Sequence, residues 1–483
     1  MKKIAFFVCL AVSSPLDAAH SPWQQLAKAD LDFIYQNLKD NHPGVIDQQN
    51  PEFNQWLENG YRQAVDSIEE AVIDLDGLIN IQRKYIAGFA DGHVDLSFKH
   101  QRTLVQWPGF IIRKQGVDTV VTKMADEWPT TLPPIGAVLK QCNGLTPQQL
   151  LEQRVLPYHI QLPELTAVQM NYTPLILRMD GSWEGEPLTE CEFTYQQNNL
   201  VLPLNWRTHS RQYWLHHNES VNTNQDFRLE MFAPEHYWIS LPTFTPSAPQ
   251  QTQLQQITAE LEALKQAKVI VFDVRGNGGG NSQWGTDMVF ALFGKPHVYD
   301  MLLPILSQGM AYWRASPQNT AAVAEIVQQM AEQFGQEADV THAFRDLASR
   351  MTEHSGNELV PQSISVATTD IKAETSPSLT SARVVLLTDA DCASACLDFA
   401  DILLPLGAIH AGQPTFADTV YMDIRTVELP SKLGRLSIPQ KVYRNRPRGH
   451  NQAYFPADKW YYQGNINNTA ALRDWLLQQL ATE

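Results

Sequence analysis

A serine that could act as a nucleophile lies where a predicted buried strand ends and a predicted helix begins. Residues 384–387 (VVLL) are apolar, and a helical pattern runs from Ser394 to Leu404. The first N–H groups of a helix have no partner within it, so a hydroxyl at this position lies near free donors. Serine is also a common helix N-cap. Ser394 is therefore a candidate nucleophile, and helix capping is the alternative role.

A glycine-rich turn after another buried strand is the second candidate feature. Residues 269–274 (VIVFDV) precede four glycines within five positions, namely Gly276, Gly278, Gly279 and Gly280. Glycine lets a ligand approach the backbone closely, so such a turn could bind a phosphate or an oxyanion. The spacing fits neither Gly-x-Gly-x-x-Gly nor a P-loop, which disfavours nucleotide binding. A tight turn without any ligand is the alternative.

The elements around these two turns predict the fold class. A strand that is apolar along its whole length is typical of a strand covered on both faces. Residues 251–266 form an amphipathic helix before the first such strand, and another helix follows the second strand. Strand, turn and helix, repeated, indicate an α/β fold with a mainly parallel sheet.

The two features, in this order, resemble the tail-specific, or C-terminal processing, serine peptidase family. The matching residues lie within about 236–460 and are 237–241 (YWISL), Phe244, 273–277 (DVRGN), 279–280 (GG), 386–389 (LLTD), 394–395 (SA) and 412–415 (GQPT). The resemblance implies a ClpP/crotonase-like core with Ser394 as the nucleophile. It also implies an oxyanion hole formed by the N–H groups of Gly279 and Ala395, with Gly278 and Gly280 beside the substrate.

The general base that the resemblance implies is a histidine. Many members of the family carry a lysine in a Thr-x-Gly-Lys context after the serine, whereas residues 415–418 here read TFAD. A branch that includes tricorn-like peptidases uses an early histidine instead, and residues 91–94 (DGHV) resemble that segment. His93 is thus the expected base, because histidine as a residue type ordinarily exchanges a proton near pH ~6.5. A hydrogen-bonded histidine in a turn is the alternative.

The group that would orient His93 is not assigned by sequence. The tricorn-like pattern has a late carboxylate, but residues 448–456 (RGHNQAYFP) contain no glutamate. Asp91, His450 and Asn451 are the candidates. Since a base without an orienting partner is a weaker catalyst, turnover itself is open at this stage.

The chain divides into five predicted segments. Residues 1–19 are a signal peptide, 20–102 an N-terminal helical domain, 103–165 a PDZ-like domain, 166–235 a β-rich connecting segment, and 236–483 the catalytic core with a helical insertion around 305–360. The signal consists of Lys2 and Lys3, a short apolar run, and the small residues Ala18 and Ala19. It predicts an exported protein, periplasmic or secreted, without a transmembrane segment in the mature chain.

Composition and cysteine content limit the partners. The net charge is −16 in 483 residues, which disfavours binding to nucleic acid. His93 and Asp95 have no third ligand at a related spacing, so neither a metal nor another cofactor is predicted. The four cysteines after the signal, Cys142, Cys191, Cys392 and Cys396, allow three disulfide connectivities.

The sequence therefore predicts an exported serine peptidase that hydrolyses peptide bonds in a peptide or protein substrate. One alternative is a ligand- or peptide-binding protein that keeps the fold and has lost turnover, as in the related retinoid-binding proteins. Another is an esterase or amidase for a small substrate. The sequence does not indicate an oligomeric state.

Overall fold

The structure is a computed structural model that describes residues 21–182, 185–218, 226–306, 309–354, 358–362 and 376–482. The predicted signal peptide lies outside these residues. Within the described ranges, no helix is long and apolar enough to cross a membrane.

Helices form the N-terminal part of the structure. The elements are α1 (Pro22–Asn41), α2 (Pro51–Asp66), α3 (Ile68–Ala71), α4 (Leu75–Ala87) and β1 (Asp95–Phe98). Helix α1 begins at a capping box, in which Ser21 and Gln24 satisfy each other's backbone N–H groups. Leu31 and Ile34 of α1 are buried in a cluster that also contains Leu436 from late in the chain. The N-terminal helices therefore pack against residues from the C-terminal part of the chain.

An antiparallel sheet follows. Its elements are β2 (Leu104–Trp107), β3 (Phe110–Gln115), β4 (Asp118–Met124), β5 (Val138–Cys142), α5 (Pro147–Leu150), α6 (Thr166–Tyr172), β6 (Glu190–Tyr195), β7 (Asn198–Pro203), β8 (Arg207–Ser210) and α7 (Arg211–Asn218). Strands β3 to β7 pair in chain order, while β2 pairs with β8. The Cys142–Cys191 disulfide joins β5 to β6. Strands from both sides of residue 165 thus share one sheet, and the domain division at that residue stays a prediction.

The rest of the chain contains two further sheets and their helices. The elements are β9 (Arg228–Ala233), β10 (His236–Ser240), α8 (Ala248–Glu260), β11 (Val269–Asp273), α9 (Gln283–Phe293), α10 (Lys295–Leu306), β12 (Met310–Arg314), α11 (Pro317–Phe334), α12 (Asp339–Glu353), β13 (Leu359–Pro361), β14 (Arg383–Thr388), α13 (Ala395–Leu403), β15 (Ile409–Gly412), β16 (Tyr421–Glu428), β17 (Gly434–Arg444) and α14 (Thr469–Ala481).

The mainly parallel sheet has the strand order β15-β14-β11-β10-β9. Its four strands from β15 to β10 are parallel, and β9 is antiparallel to β10. Alternate side chains of β11 enter different apolar clusters: Ile270 and Phe272 contact one cluster with α9 and α13, and Val271 contacts another with α14. This two-sided burial explains the continuous apolar run and confirms the predicted α/β fold.

The second of these sheets joins a strand from the N-terminal part of the chain, β1, to a strand from its C-terminal part, β17. Strand β17 pairs with β1 near its start, with β12 near its end, and with β16 along most of its length. The antiparallel pairing of β1 with β17 aligns Asp95 with Ser437 and Phe98 with Gly434. As a result, the turn that precedes β1 lies beside the segment that precedes β16.

Candidate active site

Ser394 lies in a strained turn between β14 and α13. Its backbone angles are φ 54° and ψ −122°, and its side chain makes no capping hydrogen bond to α13. A non-glycine residue at positive φ costs on the order of 1–3 kcal/mol, and such strain is concentrated at functional sites. The Ser394 Oγ atom instead lies 3.2 Å from Nε2 of His93. The structure therefore contradicts the capping role and brings the two predicted residues together.

His93 is presented by a tight turn between α4 and β1. The N–H of His93 donates to Oδ1 of Asp91 at 2.8 Å, and the N–H of Val94 donates to the Asp91 carbonyl at 3.2 Å. Ala90 adopts positive φ at the start of this turn. Because its Nε2 faces Ser394 while the turn is fixed by backbone bonds, the imidazole has a defined position.

Asp91 lies behind the imidazole of His93. Its Oδ1 atom is 3.8 Å from Nδ1 of His93, and its Oδ2 atom accepts the Thr419 hydroxyl at 2.9 Å. Burial raises the pKa of Asp91, while His93, its backbone N–H, Thr419 and His450 oppose that rise. Of the other two orienting candidates, His450 is exposed and Asn451 donates to the Ala90 carbonyl at 3.4 Å.

The glycine turn contacts the serine turn directly. A Cβ atom on Gly279, whose φ is +101°, would lie 2.7 Å from Cβ of Ser394 and 2.9 Å from the amide nitrogen of Ala395. The N–H of Gly279 donates to Oδ1 of Asn277 at 2.9 Å, so it is not the free oxyanion donor that the sequence predicts. The Ala395 amide, by contrast, makes no hydrogen bond to any part of the chain that the structure describes.

The two glycines expected beside the substrate differ in their surroundings. A Cβ atom on Gly278 would meet nothing within 4 Å, so this residue borders open space. A Cβ atom on Gly280 would lie 2.2 Å from the backbone of Phe244, where the chain packs closely on the end of the neighbouring strand segment. Gly278 is therefore accessible, and Gly280 has a packing role.

Two polar side chains, which belong to the matching motifs but have no predicted role, join the turns. The side-chain amide of Asn277 donates to the Leu241 carbonyl at 2.9 Å, and the backbone carbonyl of Asn277 accepts the N–H of Ala393 at 3.2 Å. Asp389 accepts the N–H of Gly276 with both oxygens, at 2.9 and 3.0 Å. Burial, and then the charge of Asp391, raise the pKa of Asp389 to about 7. The lone asparagine within the glycine run was the available signal.

A disulfide brackets the serine. Cys392 and Cys396 are bonded to each other and fully buried, with Ser394 at the centre of the ring that they close. The Cys392 carbonyl also accepts the N–H of Phe416 at 3.1 Å. Together with Asn277, the disulfide limits the freedom of the serine turn.

Asp418 ends the segment 415–418, which contains no lysine. It is buried and paired with the guanidinium groups of Arg446 and Arg448. An ion-pair network therefore fills this position, and no ammonium group reaches Ser394 from it. Across the described ranges, no group of three or more histidine, cysteine or acidic side chains could hold a metal ion.

Comparisons with known proteins concern the fold and the family of the chain. No curated protein matches the chain in sequence. The solved structure of mature CPAF is similar with a TM-score of 0.60 at 11% identity, covering 96% of this chain and 99% of that chain. Mature CPAF complexed with lactacystin is similar with a TM-score of 0.60 at 10% identity, over 95% and 98% of the two chains. At these identities the likeness shows a shared fold. Residues 238–452 match the sequence model of peptidase family S41, and over this region the chain is accordingly similar to the peptidases of that family.

Proposed function

We propose that Ser394 is the nucleophile and His93 the general base of this peptidase. The supporting observation is the 3.2 Å separation between Oγ and Nε2, which is within reach of proton transfer. A serine hydroxyl is a weak nucleophile until a base removes its proton. Ser394 then attacks the peptide carbonyl, and the imidazolium of His93 donates the proton to the leaving amine. Water completes the cycle by hydrolysing the acyl-enzyme.

The anion that forms during this attack is stabilised by the amide of Ala395. This N–H is the first of helix α13, so the helix dipole also favours negative charge there. Gly278 borders the open space next to the serine turn and is the residue of the glycine run that we assign to substrate contact. Gly279 contributes by its lack of a side chain, because its α-carbon lies against Ser394.

The strained backbone of Ser394 favours hydrolysis over the alternative of a binding protein without turnover. A serine that merely capped α13 would need neither positive φ nor a histidine at its hydroxyl. Backbone strain of this kind persists where the surrounding structure enforces it. Asn277 and the Cys392–Cys396 disulfide supply that enforcement.

A cavity in the PDZ-like part is the proposed site for a chain end of the substrate. It has a volume of about 220 Å³ and lies between β4, β5 and helix α5. Its lining includes the Lys114 and Gln148 side chains together with Leu139 and Leu151. Apolar side chains with a few polar groups suit a peptide terminus.

We also propose export, since the two disulfides fit an oxidising compartment and residues 1–19 have the pattern of a signal.

Substitution of the pair is the direct test of this function. Ser394→Ala and His93→Ala should each reduce kcat for peptide hydrolysis by roughly 10⁴-fold or more, because either change removes the proton-transfer pair. Matched controls are Ser97→Ala and His100→Ala, whose side chains are exposed on or after β1. These should keep the wild-type rate.

The assay uses peptide and ester substrate libraries side by side. Hydrolysis of peptides by the wild type supports the peptidase, whereas turnover of esters without peptides would favour the esterase alternative. Undiminished peptide hydrolysis by Ser394→Ala would refute the proposed nucleophile.

A further inference from the structure

A buried carboxylate lies between two histidines at the back of the site. Asp91 approaches His93 with one oxygen, at 3.8 Å from Nδ1, and His42 with the other, at 3.9 Å from Nε2. His42 comes from the end of α1, about fifty residues before His93 in the chain. The side chains of Asp91 and His42 are 3% and 0% exposed, so water does not screen this group.

The hydrogen bonds of His42 determine which of its nitrogens carries the proton. Its Nδ1 atom accepts the N–H of Gly44 at 3.0 Å and is therefore unprotonated. The proton of the neutral ring is then on Nε2, which faces Asp91. Stacking on Phe53, with ring centres 4.2 Å apart, maintains the orientation of the ring. The Nε2 atom is buried and has no hydrogen-bond partner within the described residues.

The neutral ring of His93 also carries its proton on the nitrogen that faces Asp91. Its Nε2 atom must accept the proton of Ser394, so Nδ1 carries the proton in the resting enzyme. This Nδ1 atom is also buried without a hydrogen-bond partner in the described part of the chain. A buried N–H group without an acceptor is unfavourable. A shift of each N–H group toward Asp91 by roughly one ångström or less would bring it to hydrogen-bond distance and would therefore be favourable.

The carboxylate of Asp91 can accept a hydrogen bond from the ring N–H groups of both His93 and His42. A carboxylate offers about four acceptor positions, and Asp91 uses two of them for the N–H of His93 and the hydroxyl of Thr419. The two remaining positions match the two unpaired histidine N–H groups. Hydrogen bonds of catalytic groups are often long without substrate and shorten when it binds.

We propose that Asp91 is the orienting carboxylate of His93 and that His42 is a positioning residue acting through Asp91. Ser394, His93, Asp91 and His42 then form one chain of hydrogen bonds in the substrate complex. Asp91 stabilises the imidazolium that forms when His93 takes the serine proton, and His42 fixes the second oxygen of Asp91. This inference rests on the proposed function of the Ser394 and His93 pair.

The charges around this group are consistent with a permanently neutral His42. Burial, and then the charges of Arg314 and His93, hold the pKa of His42 well below its usual value. The Arg314 guanidinium donates to the His42 carbonyl at 2.7 Å. Tyr421 contacts the His42 ring edge-on, and His450 is near enough to lower the pKa of Asp91 slightly. His42 therefore remains a neutral N–H donor toward Asp91.

Two substitutions of His42 separate its local role from its role toward Asp91. His42→Asn keeps an acceptor for the Gly44 N–H and removes the donor that faces Asp91. His42→Gln keeps a donor near the position of Nε2 and disturbs the Gly44 contact. If His42 acts through Asp91, His42→Asn lowers kcat about tenfold with little change in KM. His42→Gln should then be closer to the wild type.

The experiment measures kcat, KM and the pH profile of peptide hydrolysis for the full chain and its variants. Asp91→Asn should lower kcat by roughly 10²–10⁴-fold and shift the acidic limb of kcat/KM to lower pH, because the imidazolium loses its carboxylate. Wild-type kcat in both Asp91→Asn and His42→Asn, with Ser394→Ala inactive, would overturn this inference alone. An active Ser394→Ala would instead overturn the proposed function. If Asp91→Asn does not fold, the His42→Asn and His42→Gln pair provides the same test.

Discussion

Gly279→Ala should reduce kcat/KM for peptide hydrolysis by at least about 100-fold, since a misplacement of 1 Å at the reacting group has that effect. The added Cβ atom would lie 2.7 Å from Cβ of Ser394 and 2.8 Å from the Ala393 carbonyl oxygen. These are backbone or near-backbone atoms that a side-chain rotation cannot move away. The φ of +101° adds strain for any residue with a Cβ atom. Ser394 is therefore displaced from His93, and the rate of labelling by a fluorophosphonate should fall in parallel.

Gly278→Ala is the matched control, one residue earlier in the same glycine run. Its added methyl group would meet nothing within 4 Å, and its backbone is outside the left-handed region. The variant should keep the rate of labelling by a fluorophosphonate within about twofold, because labelling depends on the serine turn and not on the substrate contact assigned to Gly278. Equal losses in both variants would show that the turn responds to any added side chain, which contradicts the specific contact with Ser394.

Arg275→Ala should lower the free energy of unfolding by about 3–5 kcal/mol, the usual result of removing one partner of a buried ion pair. Arg275 donates to both oxygens of Asp273, at 2.8 and 2.6 Å, and both side chains are almost fully buried. Arg275 also donates to the hydroxyl of Thr469 at the start of α14. Its loss removes the positive charge beside a buried carboxylate, which retains the neutral Trp238 indole N–H at 3.0 Å and the backbone N–H of residue 275 at 3.2 Å.

An exposed ion pair at the opposite end of the same strand is the control for this change. Lys268 precedes β11 and contacts Glu235 at 2.6 Å, with both side chains mostly exposed. Lys268→Ala should change the free energy of unfolding far less than Arg275→Ala does, because water screens an exposed ion pair. Urea unfolding followed by circular dichroism measures both variants. If Arg275→Ala lowers the free energy of unfolding by less than Lys268→Ala does, the structural role of the buried pair is contradicted.

The sequence was sufficient for the fold class because the decisive signals are local. Residues 269–274 and 384–387 are apolar without interruption, since both faces of β11 and β14 are covered by helices. The glycine run and Ser394 follow these strands directly. Parallel pairing of β11 with β14 then brings the two turns together, aligning Asp273 with Leu387. The confirmed α/β fold follows from these patterns.

The back of the site could not be predicted in the same way, because it depends on contacts between distant segments. His93 reaches Ser394 through the pairing of β1 with β17, which aligns residues more than 300 positions apart. His42 follows a helix and reads locally as part of a turn before Pro43. The engagement of the Gly279 N–H by Asn277 likewise depends on the exact path of the loop. No periodicity in the chain carries such information.

Mapping of a covalent adduct tests the central claim most directly. The wild-type protein is treated with a fluorophosphonate, digested, and analysed by mass spectrometry, with His93→Ala and Ser394→Ala treated in parallel. The pairing of His93 with Ser394 predicts a single adduct on the peptide that contains Ser394, much slower labelling in His93→Ala, and none in Ser394→Ala. An adduct on a different serine, or labelling that is unchanged in Ser394→Ala, would contradict it.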